Sequence, residues 1–409
     1  MVKNIKFYDN WEDLNKSQFE IVERKGLGHP DTLADGLAEA VSNVYSSYCL
    51  KNFGIVPHHN VDKLYIGAGL FSVDIGKNAM IKPAIVRING RVSNCFGKNE
   101  INLVELQEQA VSQYLSRILP RAVVGKNIFI DHNATQNTRR KNWFSPQSVE
   151  DLPELKRLVA NDTSVCVAHA PLSYAEKICM IAEKFFWIVD DSGQALKPKF
   201  SDIGQDIKVM VIRKGNDIDV NMCVPVFSDT ISDMKGYECR IKQIEALLYD
   251  EMKKLDLPSE MNISININNT RGGSVHPYML ALGSCIECGE EGLVGRGNGI
   301  TGLIPTMRAK SNEAYFGKNP VYHVGRVIGL LCQRIANRIY NETKSGNSVY
   351  ILSVHSDDLM QPSSICVSLE NMQAKDIAEK IIAEELNKED YLKKIIGNII
   401  TSDFSMKVI

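Results

Sequence analysis

Predicted β-hairpins lie between the predicted helices of this chain. Helices and strands therefore do not alternate one for one. The clearest hairpin has two alternating apolar stretches around a turn at Lys214-Gly215-Asn216, in "QDIKVMVIRKGNDIDVNMCV". A sheet built from strict strand–helix–strand units would need regular alternation of the two elements. The pattern therefore favours an α+β fold, in which helices cover layers of sheet.

The periodicity of the apolar residues places the main elements. Helical spacing with buried-type residues predicts helices over 31–48, 103–119 and about 327–340, and in "AKDIAEKIIAEELN". Alternation predicts strands in "DKLYIGAGLFSV", "AIVRING", "NISININ" and "VYILSVH". Two long stretches, at about 134–153 and 289–326, have neither period, and long irregular segments of a compact protein often carry function.

Charge and cysteine content exclude several classes of protein. The net charge of -2 creates no global attraction to nucleic acid or to an anionic membrane. Only Cys285 and Cys288 form a CxxC pair, so a zinc site has no second pair and both are interpreted as buried packing thiols. No apolar run approaches the ~20 residues that span a bilayer, and the start of the chain has no apolar signal core. We expect a cytoplasmic protein with no nucleic-acid or membrane partner.

The stretch "ERKGLGHPDTLADG" precedes and opens the first predicted helix. Gly26 and Gly28 would let the backbone approach a ligand, and His29 stands before a proline that holds it off the helix. Asp31 falls in the first turn, where a carboxylate commonly satisfies free backbone amides, and Asp35 follows one turn later. The alternative is a Mg²⁺ site completed by phosphate oxygens, with the histidine donating to an oxygen on which charge develops.

The second irregular stretch, 289–326, combines eight glycines with basic side chains. Exposed backbone amides together with arginine and lysine suit a polyphosphate, and the alternative is a solvated loop with scattered charges. It is not a P-loop, because "FGKNP" lacks the required spacing. The charged residues and histidine that we single out are Glu290, Glu291, Arg296, Arg308, Lys310, Lys318, His323 and Arg326.

Two further positions have competing interpretations. Asp162 precedes a short apolar run and is either a simple turn residue or a group that holds a ligand ammonium or ribose hydroxyl. His58 and His59 are adjacent, and neighbouring side chains on a strand point to opposite faces. They do not readily bind one metal ion together, so we expect a structural role for both.

Several motifs together resemble those of the archaeal-type S-adenosylmethionine synthetases, or methionine adenosyltransferases. The blocks fall in that family's order along most of the chain: "ERKGLGHPDTLADGLAEAVS", "HHNVDKLYIGAG", "ANDTSVCVAHAPLS", "GQDIKVMVIRKGN", "GLVGRGNGITGLIPTMR" and "FGKNPVYHVGRV". The resemblance implies three similar α+β domains of mixed or antiparallel sheets, built from discontinuous segments. It places the first in 1–26 plus 173–287, the second in 27–139 plus 288–326, and the third in 140–172 plus 327–409. It also implies a homodimer packed sheet to sheet, with the active site between the chains.

The resemblance implies a reaction in which methionine sulfur attacks C5′ of ATP. The triphosphate leaves and is then cleaved to phosphate and diphosphate. His29 would lie near the leaving oxygen, Asp31 would hold Mg²⁺, and Arg296 and Lys318 would bind phosphates; whether a monovalent cation such as K⁺ assists stays open. The other positions assigned to substrate or ATP binding are Asp162, Gln136, Glu290, Arg308, His323 and Gly317.

Some segments depart from the pattern of this family. "NNTRGGS", from Asn268, and "ATQNT", from Ala134, stand where archaeal members read close to "NTADD" and "IGQGS". Because these loops lie near the implied site, two alternatives stay open. One is a specialised paralogue with an altered substrate, and the other is a weakly catalytic regulatory partner that binds nucleotide.

Overall fold

The computed structural model describes residues 4–136, 141–152, 157–191, 193–268 and 277–401. The α-helices of these residues are α1 (Pro30–Phe53), α2 (Leu103–Ile118), α3 (Lys141–Phe144), α4 (Tyr174–Lys184), α5 (Met234–Met252), α6 (Val324–Thr343), α7 (Lys375–Glu385) and α8 (Lys388–Thr401). The four predicted helices correspond to α1, α2, α6 and α7. The proposed end of the first is also confirmed, because Gly54 caps α1 with a φ of 71°.

The strands of the described residues are mostly short. They are β1 (Ile5–Tyr8), β2 (Phe19–Lys25), β3 (His59–Asn60), β4 (Tyr65–Gly67), β5 (Leu70–Asp74), β6 (Lys77–Lys82), β7 (Ala84–Val92), β8 (Cys95–Phe96), β9 (Asn99–Glu100), β10 (Ile128–Thr135), β11 (Ser164–Ala170), β12 (Trp187–Val189), β13 (Ala195–Pro198), β14 (Lys208–Lys214), β15 (Asp217–Cys223), β16 (Val226–Phe227), β17 (Asn262–Ile267), β18 (Met279–Leu280), β19 (Gly292–Leu293), β20 (Ile304–Pro305), β21 (Asn347–Ser353) and β22 (Ser364–Leu369).

Among the described residues, three sheets of four or five strands carry the fold. The first sheet has the order β10-β7-β4-β19 with β3 beside β7, and α1 and α2 pack on it. The second has the order β17-β15-β14-β2-β20 and is covered by α4 and α5. The third has the order β1-β22-β21-β11, with α6 packed on it and α7 packed on α6. Each sheet mixes parallel and antiparallel pairs, which confirms the α+β prediction.

The predicted hairpin is the centre of the second sheet. Strands β14 and β15 pair antiparallel, with Val211 opposite Val220, and Gly215 takes a φ of 58° in the turn between them. On its other side β14 pairs with β2, where Val211 lies opposite Val22. These alternate residues face α4 and are buried, so the spacing of the sequence sets the face that forms the core.

The first strand lies in an unexpected sheet. The predicted division assigned 1–26 to the domain that also holds 173–287, yet β1 pairs in parallel with β22 of the third sheet, Ile5 opposite Ile365. Its four residues alternate between partly buried and exposed, a pattern that does not indicate which strand β1 pairs with. The partner is fixed by the free edge of β22 in the folded structure. The predicted domain division as a whole stays a prediction.

The buried apolar side chains form two clusters. One runs through the first and second sheets and their helices, and the other fills the third sheet beneath α6 and α7. The helix α1 therefore belongs to the larger cluster. It also contacts α8, which belongs to the cluster of the third sheet. None of the described helices has the length and apolar character needed to span a membrane.

Candidate functional site

The two glycines before α1 serve packing within the protein. Gly26 donates its amide to the carbonyl of Ile207 and Gly28 donates to that of Gln205. A Cβ on Gly26 would lie 2.5 Å from the carbonyl oxygen of Ile207, and a Cβ on Gly28 would lie 2.4 Å from that of Gln205. The interpretation that they admit a ligand to the backbone is therefore wrong, since the 205–207 segment fills that space.

His29 caps the N-terminus of α1. Its Nδ1 accepts a hydrogen bond from the amide of Asp31 at 3.2 Å, so the neutral ring carries its proton on Nε2. Burial, assisted by the charge of Lys25, lowers the pKa of His29 to about 4. At neutral pH the half-buried imidazole is therefore an uncharged hydrogen-bond donor.

Asp31 joins the start of α1 to the second glycine-rich stretch. One carboxylate oxygen accepts from the amide of Leu293 at 3.0 Å, and the other pairs with Lys25 Nζ at 2.8 Å. Lys25 also donates to the carbonyl of Arg296 at 2.8 Å. The exposed Arg296 guanidinium makes no ion pair with any residue that the structure describes. His29, Asp31 and Arg296, predicted from distant motifs, thus lie together, and Lys25 was missed.

Two more acidic side chains continue along the same face of α1. Asp35 accepts from the amide of Gly295 at 2.7 Å, and Glu39 accepts from that of Gly317 at 3.1 Å. The sequence analysis noted Asp35 but missed Glu39. The spacing of four residues from Asp31 to Asp35 to Glu39 was the available signal, because such residues share one helix face.

Lys318 and His323 form a second group, beside Gly317. Lys318 is almost completely buried; its ammonium forms an ion pair with Glu313 and lies 3.7 Å from Asp62. The imidazole of His323 caps α6, accepting from the amide of Gly325 at 3.3 Å. Burial, together with the charge of Lys318, lowers the pKa of His323 to about 3.

A cavity of about 360 Å³ is lined by residues of the segments that carry Arg296 and Lys318, although neither of these two residues is itself in the lining. One wall contains Gly295 and Gly297, which flank Arg296 in sequence, and another contains Glu313, the partner of Lys318. Tyr315 and Ile300 add apolar surface. The volume is within the range of small-molecule sites, which are ~300–1,000 Å³.

Arg308 is committed to a different contact. Its guanidinium donates to both oxygens of Glu176, at 2.8 and 2.9 Å, in a buried bidentate pair. Burial would raise the pKa of Glu176, but hydrogen bonds from His169 and Arg308 lower it to about 2. The structure therefore gives Arg308 a partner within the protein, and its assignment to substrate stays a prediction.

The other predicted positions are exposed and stand apart from these contacts. Asp162 accepts from the amide of Thr163 at 2.7 Å, as a simple turn residue does, and its neighbour Asn161 caps the amide of Val324 in α6. Gln136 follows the end of β10, and Glu290 lies in the turn before β19. Their roles stay predictions. The departures at Asn137 and 271–274 fall outside the described residues.

The adjacent histidines have the structural role that we expected. His59 Nε2 lies 2.7 Å from the hydroxyl of Ser42, and the ring of His58 stacks on Trp143 with 4.7 Å between centroids. The prediction for the CxxC pair was half wrong, because Cys285 is buried but Cys288 is exposed. The short helix Cys285–Glu287 is buried, and Cys288 lies just past its end.

The donor set at Asp31 fits a divalent cation held mainly by its ligand. Among the described residues, no three acidic, histidine or cysteine side chains converge to form a closed metal cage. Mg²⁺ usually keeps several waters and binds one or two carboxylates plus substrate phosphates. Asp31 would be the single carboxylate of such a site, and the ion would share it with the ammonium of Lys25, which lies 2.8 Å from Oδ2.

Comparison with known proteins decides the family. Residues 3–402 match the family model described as S-adenosylmethionine synthetase (AdoMet synthetase). This chain belongs to the S-adenosylmethionine synthetase family. It is 32% identical to an S-adenosylmethionine synthase of Pyrobaculum neutrophilum, over 91% of this chain and 93% of that one. The archaeal-type resemblance is thereby confirmed.

Other relatives of this synthetase-family protein show how far it has diverged. It is 35% identical to an uncharacterized protein of Streptococcus pyogenes, over 94% of each chain. A solved structure described as an unusual S-adenosylmethionine synthetase from Campylobacter jejuni aligns with a TM-score of 0.61, covering 96% of this chain and 92% of that one. At 13% identity that structure supports the fold alone.

Proposed function

We propose that this member of the family is a methionine adenosyltransferase, which forms S-adenosylmethionine from ATP and L-methionine. The supporting observation is that the segments carrying Arg296 and Lys318 line one cavity, while the neutral donor His29 precedes Asp31, which binds the Arg296 segment through the amide of Leu293. The two groups sit at Asp31 and Glu39 of α1. Eight residues of helix separate these by about 12 Å, so an extended polyphosphate suits the spacing.

The reaction follows from these groups. Methionine sulfur forms a bond to C5′ of ATP as the bond between C5′ and its oxygen breaks, and the electron pair leaves with the triphosphate. No general base is needed, because a thioether has no proton to lose. The charge that develops on the leaving oxygen is the feature to stabilise, and the Nε2–H of His29 is suited to donate to it. Water then cleaves the triphosphate to phosphate and diphosphate.

The cationic residues share the phosphate charge. Arg296 has no competing ion pair among the described residues and is free to bind phosphate directly. Lys318 is held by Glu313 and Asp62, so its role is fixed positive charge beside Glu313, which lines the cavity. Asp31 would hold Mg²⁺, which would neutralise phosphate oxygens when bound. Gly317, Asp162, Gln136, Glu290, Arg308 and His323 remain proposed substrate contacts of lesser weight.

The assay that tests this proposal uses purified protein with ATP, Mg²⁺ and L-methionine. We expect the sulfonium product by mass spectrometry, with one phosphate and one diphosphate formed per sulfonium. The matched control is His29→Asn, which keeps a helix-capping side chain but lacks the imidazole. ATP hydrolysis without any sulfonium, across methionine and its S-alkyl homologues, would overturn the proposal.

A specialised substrate is the second candidate, favoured by the 35% identity to uncharacterized relatives and by the altered segment at Ala134. It predicts that an S-alkyl homologue yields more sulfonium than methionine does at equal concentration. We further propose a cytoplasmic location and a homodimer with the site at its interface. Sedimentation of the purified chain at twice the monomer mass is the expected result.

A further inference from the structure

Three carboxyl groups on one face of α1 each accept a backbone amide from the second glycine-rich stretch. Asp31 binds the amide of Leu293, Asp35 that of Gly295, and Glu39 that of Gly317. The acceptors are one helical turn apart, while the donors are more than 250 residues away in sequence. The helix therefore sets the path of the segment that carries Arg296 and Lys318.

The middle of these carboxyl groups differs from the outer two. Asp31 has the ammonium of Lys25 at 2.8 Å, and Glu39 has the guanidinium of Arg326 at 2.5 Å. Asp35 has no cation in contact among the described residues and is completely buried. Its Oδ2 has no hydrogen-bonding partner there and lies where a Cβ on Gly297 would come within 2.2 Å.

Burial is the main influence on the charge of Asp35. It raises the pKa of Asp35 well above its ordinary value and the nearby carboxylate of Asp31 raises it further, while the amides of Gly295 and Gly297 and the charge of Lys25 act in the opposite direction. From α2 comes the hydroxyl of Tyr114, which packs on Gly36 and adds no positive charge. A buried carboxylate without a cation is costly, whereas a protonated carboxyl still accepts a hydrogen bond.

We propose that Asp35 is a positioning residue: its neutral carboxyl holds the 293–297 segment through Gly295 and so fixes the backbone that carries Arg296. The effect on turnover rests on the proposed function, but the effect on the segment does not. Because the carboxyl acts as a neutral acceptor, an amide of the same shape should replace it. Asp31 and Glu39 act as charged groups, so an amide should not replace either of them.

The test compares Asp35→Asn with Asp35→Ala in the full-length protein. Amide hydrogen exchange of a peptide covering 293–297 should change less than about threefold in Asp35→Asn and rise at least tenfold in Asp35→Ala, because only alanine removes the acceptor. Exchange around Gly317, which Glu39 holds, should stay unchanged in both. Glu39→Gln is the matched control, and it should affect Gly317.

Kinetics give a second readout. Asp35→Ala should raise the KM for ATP about tenfold or more, and this loss should disappear in an Arg296→Ala background, since coupled residues are not additive. An Asp35→Asn variant that loses protection as alanine does would overturn the neutral role, and an Asp35→Ala variant that keeps protection would overturn the positioning role. If alanine does not fold, Asp35→Asn decides alone by its exchange. If the wild-type protein forms no sulfonium, the exchange experiment still tests this proposal while the proposed function fails.

Discussion

Both α1 and α6 start with a histidine N-cap, but the charged side chains beside the two caps have opposite sign. His29 and His323 each accept, through Nδ1, the amide two residues ahead. In α1 the next turn carries Asp31, whereas in α6 the first turn has no acid. The start of α1 thus suits a cation, and the start of α6, next to Lys318, suits an anion. The proposed adenosyl transfer from magnesium-bound ATP would use both, so two similar local structures would have different roles.

Glu39→Gln should have the largest effect, because Glu39 joins the two regions. The substitution removes the carboxylate that pairs with the buried Arg326 at 2.5 Å. We expect the free energy of unfolding to fall by about 3–5 kcal/mol in urea denaturation. Glu342→Gln, on the exposed pair with Arg338, should cost less than about 1 kcal/mol. Equal losses in the two variants would show that the buried pair has no special weight.

His29→Asn and His323→Asn compare the two caps directly. We expect His29→Asn to lower kcat by about 10²–10³ with little change in ATP affinity, because the lost donor acts on developing charge. His323 is buried, and its Nε2 lies 3.5 Å from the side-chain nitrogen Nδ2 of Asn60. Because this ring nitrogen already faces a protein group, His323→Asn should lower kcat less than about tenfold. Steady-state kinetics with both substrates measure this, and equal kcat losses would break the distinction.

Arg296→Ala should have a moderate effect on binding. The exposed guanidinium forms no ion pair with the described residues, so its removal should leave the unfolding free energy unchanged. We expect the KM for ATP to rise about tenfold to a hundredfold, the equivalent of one charged hydrogen bond. Arg87→Ala, on an exposed pair with Asp131, is the control. An unchanged KM would remove Arg296 from the site.

The effect of pH on stability should be small for each pH unit and should accumulate gradually. Both caps have a pKa below that of an unfolded histidine, about 4 for His29 and about 3 for His323. The unfolded chain therefore binds more protons as the pH falls below about 6.5, and stability is lost from there down towards the folded-state pKa. Each histidine contributes a slope of at most about 1.4 kcal/mol per pH unit.

The variants test that assignment. Each substitution should make the loss of stability with falling pH less steep. For His323→Asn this difference from the wild type should extend to a lower pH than for His29→Asn, because the pKa of His323 is lower. Urea unfolding at several pH values between about 4 and 7 measures the slope. A slope unchanged by either substitution would contradict neutral, buried caps.

The sequence by itself determined four of the helices, the central hairpin and the family. Apolar period fixed α1, α2, α6 and α7, the hairpin of β14 and β15 followed from its turn residues, and the motifs placed His29, Asp31, Arg296 and Lys318 among the candidates. These features depend on residues a few positions apart, whose spacing the backbone geometry fixes locally.

Only the tertiary structure decided which groups meet. The amide of Leu293 binds Asp31 across 262 residues, and no local spacing encodes that contact. The same holds for the glycines that pack on Gln205 and Ile207, for the pairing of Arg308 with Glu176, and for the addition of β1 to the third sheet. A side chain's chemistry depends on what remains unsatisfied after packing, and packing joins distant segments.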